Sequence, residues 1–157
     1  RERGALQLEK NLQDDYVKFL SLCHGILTDT GFAISALITN HSYLSNPTLR
    51  GVRWNILDAS SSQIILDLHG NTKNREVAPN GVENENVFDI QQGVGISIFT
   101  AGRSQSHFYF GDLWGSREEK YERLLNSSVL ELVELEPDPS APIFAFKKAP
   151  SEKEVEY

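Results

Sequence analysis

Phe32-Ala33-Ile34-Ser35-Ala36-Leu37-Ile38-Thr39 carries no charge and no proline, and reads as a buried strand. Upstream of it, Leu12, Tyr16, Phe19, Leu20, Cys23 and Leu27 recur at helical spacing. Asp14 and Asp15 stand in the first turn of that helix, where carboxylates interact favourably with the dipole, and Gly31 is its expected stop. Downstream, Asn46 is placed to cap a second helix with Pro47 at its first position. Leu49, Val52, Ile56 and Leu57 form the apolar stripe of that helix. Residues 63 to 68 read as another buried strand. Helix, strand, helix, strand implies parallel crossovers and an α/β sheet.

The rest of the chain is less regular. A long polar loop covers 69 to 86 and contains Pro79-Asn80-Gly81, a turn signal. Loops of that length in compact domains tend to be functional or mobile. Residues 94 to 100 form a third strand, and Gly102 turns the chain into His107-Phe108-Tyr109-Phe110, so a hairpin is expected there. Ser116 and Glu119 form a capping box for a helix to about Asn126. Short strands are expected near 130–135 and 143–146, before a frayed end.

Length and composition bound the possibilities. The 157 residues allow one domain with a modest core. No apolar run approaches the roughly 20 residues that span a bilayer, and no charged-then-apolar leader is visible. The single Cys23 lies on an apolar helix face and cannot form an internal disulfide, which fits a reducing, cytoplasmic setting without membrane attachment. The net charge of −7 argues against duplex-DNA binding by this piece alone. Its acids concentrate at 118–122, 131–138 and 152–156, whereas Arg50, Arg53, Lys73 and Arg75 lie in the middle.

The run Glu83-Asn84-Glu85-Asn86-Val87-Phe88-Asp89-Ile90-Gln91-Gln92-Gly93 holds the sharpest site candidates. Phe88 can stack on a ring, and Gln91 and Gln92 can read hydrogen-bond edges, a combination suited to a flat polar heterocycle such as a nucleobase. Against this stand a core Phe that anchors the loop and amides satisfied by the backbone. Asn40, His41 and Ser42 lie at the C-terminal end of the first strand, where open α/β sheets bind ligands. His41 is read as a satisfied loop histidine rather than a general base. Arg50, Arg53, Lys73 and Arg75 are candidates for DNA phosphates or simply solvated. His24, His69 and His107 are scattered without zinc spacing, so no metal ligand is assigned. Glu118-Glu119-Lys120 and Glu122-Arg123 read as an exposed, charge-paired helix face.

Phe88-Asp89-Ile90-Gln91-Gln92-Gly93, with Thr39-Asn40-His41-Ser42-Tyr43-Leu44, Asn46-Pro47-Thr48-Leu49-Arg50-Gly51 and Leu66-Asp67-Leu68-His69-Gly70-Asn71, resembles the N6-adenine DNA methyltransferase region of type ISP-like restriction–modification enzymes. The resemblance runs from about Leu12 to Phe110. It implies the C-terminal half of a Rossmann-like, S-adenosylmethionine-dependent fold, a mixed sheet in which the third strand inserts antiparallel between the first two. It implies that Phe88 stacks on a flipped adenine, with Gln91, Gln92, Asn40, His41 and Ser42 on the target-base side. Members of that family also carry a Gly-rich cofactor loop and an Asn-Pro-Pro-Tyr-type motif. Neither is found here, since Asn46-Pro47 is followed by Thr48, so no catalytic or cofactor-binding residue is assigned. The opening Arg1-Glu2-Arg3 likewise fits a fragment.

The expected organisation is therefore a half-domain over 1–128 and an acidic, Pro-containing extension over 129–157 towards a following domain. S-adenosylmethionine is expected for the full-length enzyme only, and DNA as its partner. The chain alone is expected to be inactive and, lacking the N-terminal half of its domain, to self-associate through the Phe32–Thr39 edge. The rival reading is a non-catalytic DNA- or protein-interaction module.

Overall fold

The computed structural model describes residues 13–79, 81, 83–102, 106–140 and 144–147. Leu12 and Asn80, used in the sequence reading, lie outside them, as do Ile143 and the acids at 152–156. Helix α1 (Asp15–Thr30) leads into β1 (Ile34–Asn40); two 3-10 turns, His41–Leu44 and Pro47–Leu49, precede α2 (Arg50–Ala59). Strands β2 (Ser62–His69), β3 (Val94–Thr100) and β4 (His107–Asp112) follow, then α3 (Arg117–Asn126), a 3-10 turn at Val129–Glu131 and β5 (Glu134–Glu136). These form an α/β fold around one five-stranded mixed sheet of order β1-β3-β2-β4-β5.

The local signals explain most of these elements. Gly31 closes α1 in the left-handed region, its N–H donating to the Leu27 carbonyl. Asn46 Oδ1 accepts from the Thr48 N–H at 2.9 Å, so the chain turns through Pro47 into α2. Ser116 and Glu119 make the expected capping box on α3.

Strand β3 is antiparallel to both β1 and β2 and lies between them, as the resemblance implied. The hairpin expected between β3 and β4 does not form: β4 crosses to the far side of β2 and pairs with it in parallel. Among the described strands only β3 pairs with β1, so β1 is an edge there, not the buried strand its composition suggested. Its residues alternate, and Ile34 is 73% exposed. The α1 stripe also divides. Leu20 and Leu27 are buried with Val17, whereas Phe19 is exposed along with Leu22 and Ile26.

One sheet face is closed. There α1, α2 and the 3-10 turns bury Leu20, Leu27, Leu44, Leu49 and Ile56 against Ile65, Phe99, Phe108 and Phe110. The other face is covered mainly near β2 and β4, where Leu124 from α3 and Leu132 and Val133 beyond it meet Leu66, Leu68, Val94 and Leu113. Packing continues past residue 128. Strand β5 pairs with β4, and Phe146 is fully buried against Tyr43 and Phe108. No strand forms at 144–147; Phe144 takes φ 51° and the segment bends back onto the core, with the Phe146 N–H donating to the Leu44 carbonyl.

Candidate functional site

Strand directions bring four loops to one end of the sheet. Asn40 and His69 both register with Val94, and Asp67 registers with Asp112. The C-terminal ends of β1, β2 and β4 and the start of β3 therefore coincide. Ligands bind at such carboxyl ends in open α/β sheets.

Two small glycine contacts close this end. Gly70 takes φ +83°, and a Cβ there would stand 2.5 Å from the Asn86 Cα, so the loops after β2 and before β3 touch through bare backbone. A Cβ on Gly93 would strike the His41 ring. The Gly93 carbonyl also accepts from the His41 N–H at 3.0 Å. Asn86 pins the pre-β3 loop by donating to the Gly70 and Gln92 carbonyls and accepting from the Phe88 N–H.

The core of the site is an ion network. Asp67 Oδ1 lies 2.8 Å from His41 Nδ1 and accepts from the His69 N–H at 2.9 Å. Its Oδ2 is met by the Lys147 ammonium at 2.5 Å. Burial pushes the Asp67 carboxyl up; the His41 hydrogen bond and the charges of His69, His41 and Lys147 outweigh that and hold it well below the usual range. His69 Nδ1 is 2.9 Å from Glu76 Oε1, and Nε2 is 2.7 Å from Asp112 Oδ1. Burial opposes charging His69, but Asp112, Glu76 and Asp67 overcome it and raise its pKa. Glu76 is lowered in turn, against burial, by His69 and by the Asn71 N–H. One ligand atom from each of His41, Asp67 and His69 falls within 4.8 Å of the others, a spacing also open to a cation. Here those atoms are engaged with Asn71, Lys147, Glu76 and Asp112, and the arrangement is a self-compensated charge network.

Beside it lies a polar cleft of about 260 Å³, lined by Tyr16, Asn40, Ser42, Lys73, Asn74 and Gln92 among others. The Asn40 side-chain oxygen accepts from the Ser42 N–H at 2.8 Å and from its hydroxyl at 2.6 Å. Asn46 does the same with Thr48. Each oxygen is used locally, which leaves the amide NH₂ as the group offered outward. A groove of about 360 Å³ between α1 and α2, lined by Val17, Leu20, His24, Val52 and Ile56, has none of the charged partners gathered at the sheet end.

The expected site residues divide. Asn40, Ser42, Lys73 and Gln92 share the cleft, and His41 is buried at its side. Phe88 is 44% exposed on the same loop as Gln92 but is not among the lining residues. The Gln91 side chain is exposed, and its carbonyl accepts from the Lys73 N–H at 3.4 Å. Arg50 and Arg75 are exposed. Arg53 cannot meet a phosphate. It is fully buried and donates to the Tyr43, Asn46 and Phe144 carbonyls at 2.7, 2.8 and 2.7 Å. Burial, with Arg50 nearby, lowers its pKa to about 10. Lys120, read as part of an exposed face, is also fully buried. Its ammonium donates to the Leu68 carbonyl at 2.8 Å, to Asn84 Oδ1 at 2.8 Å and to the Glu85 carbonyl at 2.5 Å.

Sequence reasoning missed Asp67, His69, Glu76, Asp112 and Lys147 as a unit. One signal was present: a charged Asp67 inside an otherwise apolar strand requires partners. The identity of those partners is not local information.

No protein-family model matches the chain, and neither does any curated protein. Solved structures do. A DrdV–DNA complex determined by cryo-EM superposes with a TM-score of 0.72 at 22% identity, covering 90% of this chain and 14% of that one. The ATP-dependent Type ISP restriction–modification enzyme LlaBIII bound to DNA gives 0.68 at 21%, covering 80% and 9%. A nuclease-deletion mutant of the Type ISP enzyme LlaGI, in complex with a DNA substrate mimic, gives 0.66 at 18%, covering 83% and 13%. The chain thus shares its fold with a small part of each of these DNA-bound proteins.

Proposed function

We propose that this chain is the target-base side of the catalytic domain of a DNA adenine-N6 methyltransferase belonging to a restriction–modification system. The observation that carries the reading is the antiparallel β3 between β1 and β2. It sets the Phe88 loop beside the Asn40–Ser42 turn, in a fold shared with DNA-bound restriction–modification enzymes. In this role Phe88 stacks on an extruded adenine, an interaction of about 1–3 kcal/mol per base. Gln92 and Asn40 meet polar edges, while Arg50, Lys73 and Arg75 face phosphates. Gln91 remains an exposed contact on the same loop.

S-adenosylmethionine would supply the methyl group, but the described residues do not fit it. No Gly-rich turn links a strand to a helix among them, and Asp67 and Glu76 are occupied by His and Lys partners. Cofactor binding and catalysis then belong to the rest of a longer, cytoplasmic protein. Among the described residues, no helix is long and apolar enough to cross a membrane.

The test uses the full-length protein, mixed-sequence DNA and radiolabelled S-adenosylmethionine. Transfer to adenine N6 is expected. Phe88→Ala should cut it at least fivefold while leaving cofactor affinity unchanged, following the stacking magnitude. Absence of transfer by the full-length protein would favour the interaction-module reading. Equal loss of cofactor binding and activity would remove Phe88 from the base site.

A further inference from the structure

His69 stands where the loops after β1, β2 and β4 cross. Both of its ring nitrogens face carboxylates, Glu76 at 2.9 Å and Asp112 at 2.7 Å. A neutral imidazole has one N–H, so one of these contacts would set a lone pair against an oxygen. Both contacts close only when the ring carries two protons. The remaining surroundings favour that charge. Asp67, two residues back on β2, places Oδ2 at 3.7 Å. Trp114, after β4, stacks on the ring with centroids 3.3 Å apart and planes 14° apart, a cation–π geometry. The His41 ring approaches edge-on at 6.3 Å. Lys147 reaches Asp67 from the 144–147 segment, and the α3 Lys120 ammonium sits on the neighbouring Leu68 carbonyl. His69 also takes φ 56°, a strained value for a side-chain-bearing residue.

Glu76 connects this ring to the cleft. While Oε1 meets His69, Oε2 accepts from the Asn71 N–H at 3.0 Å. Asn71 in turn accepts from the Asn74 N–H at 3.1 Å and lies 3.2 Å from His41 Nε2. Asn71, Lys73 and Asn74 are one wall of the cleft.

We infer that the doubly protonated His69 ring is a positioning residue, a latch tying the Asn71–Glu76 wall of the polar cleft to β4 and Trp114 and releasing it when the proton leaves. The latch stands on this geometry; only a base as the cleft's occupant rests on the function proposed above. The sign follows from the surroundings: Asp112, Glu76 and Asp67 raise the His69 pKa against burial. The latch is closed below the ordinary imidazole value and opens as pH rises through the raised one.

Trp114 reports the state directly. Trp54, half-exposed on α2, is replaced by Phe so that one indole remains. An adjacent imidazolium quenches indole emission. Emission from Trp54→Phe protein should therefore rise through one transition above about pH 6.5, the free imidazole value. Amides 71–76 should exchange at least tenfold faster across the same transition, beyond the intrinsic pH effect, with β2 and β3 unchanged. Glu76→Gln and Asp112→Asn should each move the midpoint down, a shift that a merely structural histidine would not show. His69→Gln should abolish it.

Flat emission, a transition that survives His69→Gln, or one that coincides with global unfolding would overturn the latch. So would removal of the transition by one equivalent of Zn²⁺ alone, which would make the cluster a metal site. None of these readouts involves DNA or methyl transfer, so a failed latch and a failed methyltransferase reading are distinguishable.

Discussion

At the C-terminal end of β2, Asp67 and His69 are buried and held by His41, Glu76, Asp112 and Lys147, which come from four separate segments. Along the outer edge of β1, Ile34 and Ile38 stand in solvent, and no described strand pairs there. The sheet's opposite edge differs again: β5 is three residues long and carries Glu134 and Glu136. Short, charged edges resist pairing with other chains, whereas a seven-residue edge without charge or proline invites it. The β5 side thus has the features of a boundary, whereas the β1 side, with exposed Phe19, Leu22 and Ile26 on α1, leaves apolar surface open among the described residues. Among the described residues the polar end is paired and the apolar edge is not.

The largest expected effect tests that pairing. Arg53→Ala leaves one buried and two part-buried carbonyls without their donor and should cost about 3–5 kcal/mol, read by urea denaturation. A loss below about 1 kcal/mol would place Arg53 among ordinary surface side chains and undo the contrast. Gly93→Ala comes next, at about 1–3 kcal/mol, because the new methyl group must displace the His41 ring. Chemical-shift changes confined to the β1–β3 end would accompany it.

Acid sharpens the same contrast. Asp67 and Glu76 have lowered pKa values, so their stabilisation is present above their unfolded values and is lost as pH falls through the folded ones. His69, raised, adds the opposite limb, with stability lost as pH rises through its folded value. Thermal midpoints should therefore fall on both sides of a maximum, and Asp67→Asn should flatten the acid limb.

At the apolar edge the sign reverses. The chain should self-associate in light scattering at tens of micromolar. Ile34→Lys with Ile38→Lys should abolish association while changing monomer stability by about 0.5 kcal/mol or less per site. A monomeric parent whose β1 amides exchange slowly would show that the edge is already covered. The smallest effect belongs to Phe88→Ala, within about 0.5 kcal/mol in stability, because a half-exposed ring in a loop pinned by other contacts adds little packing.

Elements with local causes were legible. The Gly31 stop and the Ser116–Glu119 box were each read from neighbours in sequence and recur in the structure, whereas Asn46 with Pro47 caps the 3-10 turn before α2 rather than α2 itself, whose N-cap is Leu49. The placement of β3 was legible only through a resemblance, since antiparallel insertion has no local signature. The β3–β4 hairpin failed because a short connection permits a hairpin without enforcing one, and β4 instead pairs in parallel with the buried β2. Arg53 and Lys120 misled for a related reason. A cation on an amphipathic helix normally faces water, and only the carbonyls brought to it by distant segments make burial favourable.

The amino-acid sequence by itself determined the α/β alternation, the caps and turns, and the loop that carries Phe88 and Gln92, because these depend on residues within a few positions of one another. Tertiary structure alone decided that both His69 ring nitrogens meet carboxylates, that Lys147 belongs to Asp67, and that β1 is an edge among the described strands. Those facts depend on distance through space: Asp67 and Lys147 are 80 positions apart in the chain and 2.5 Å apart in the fold.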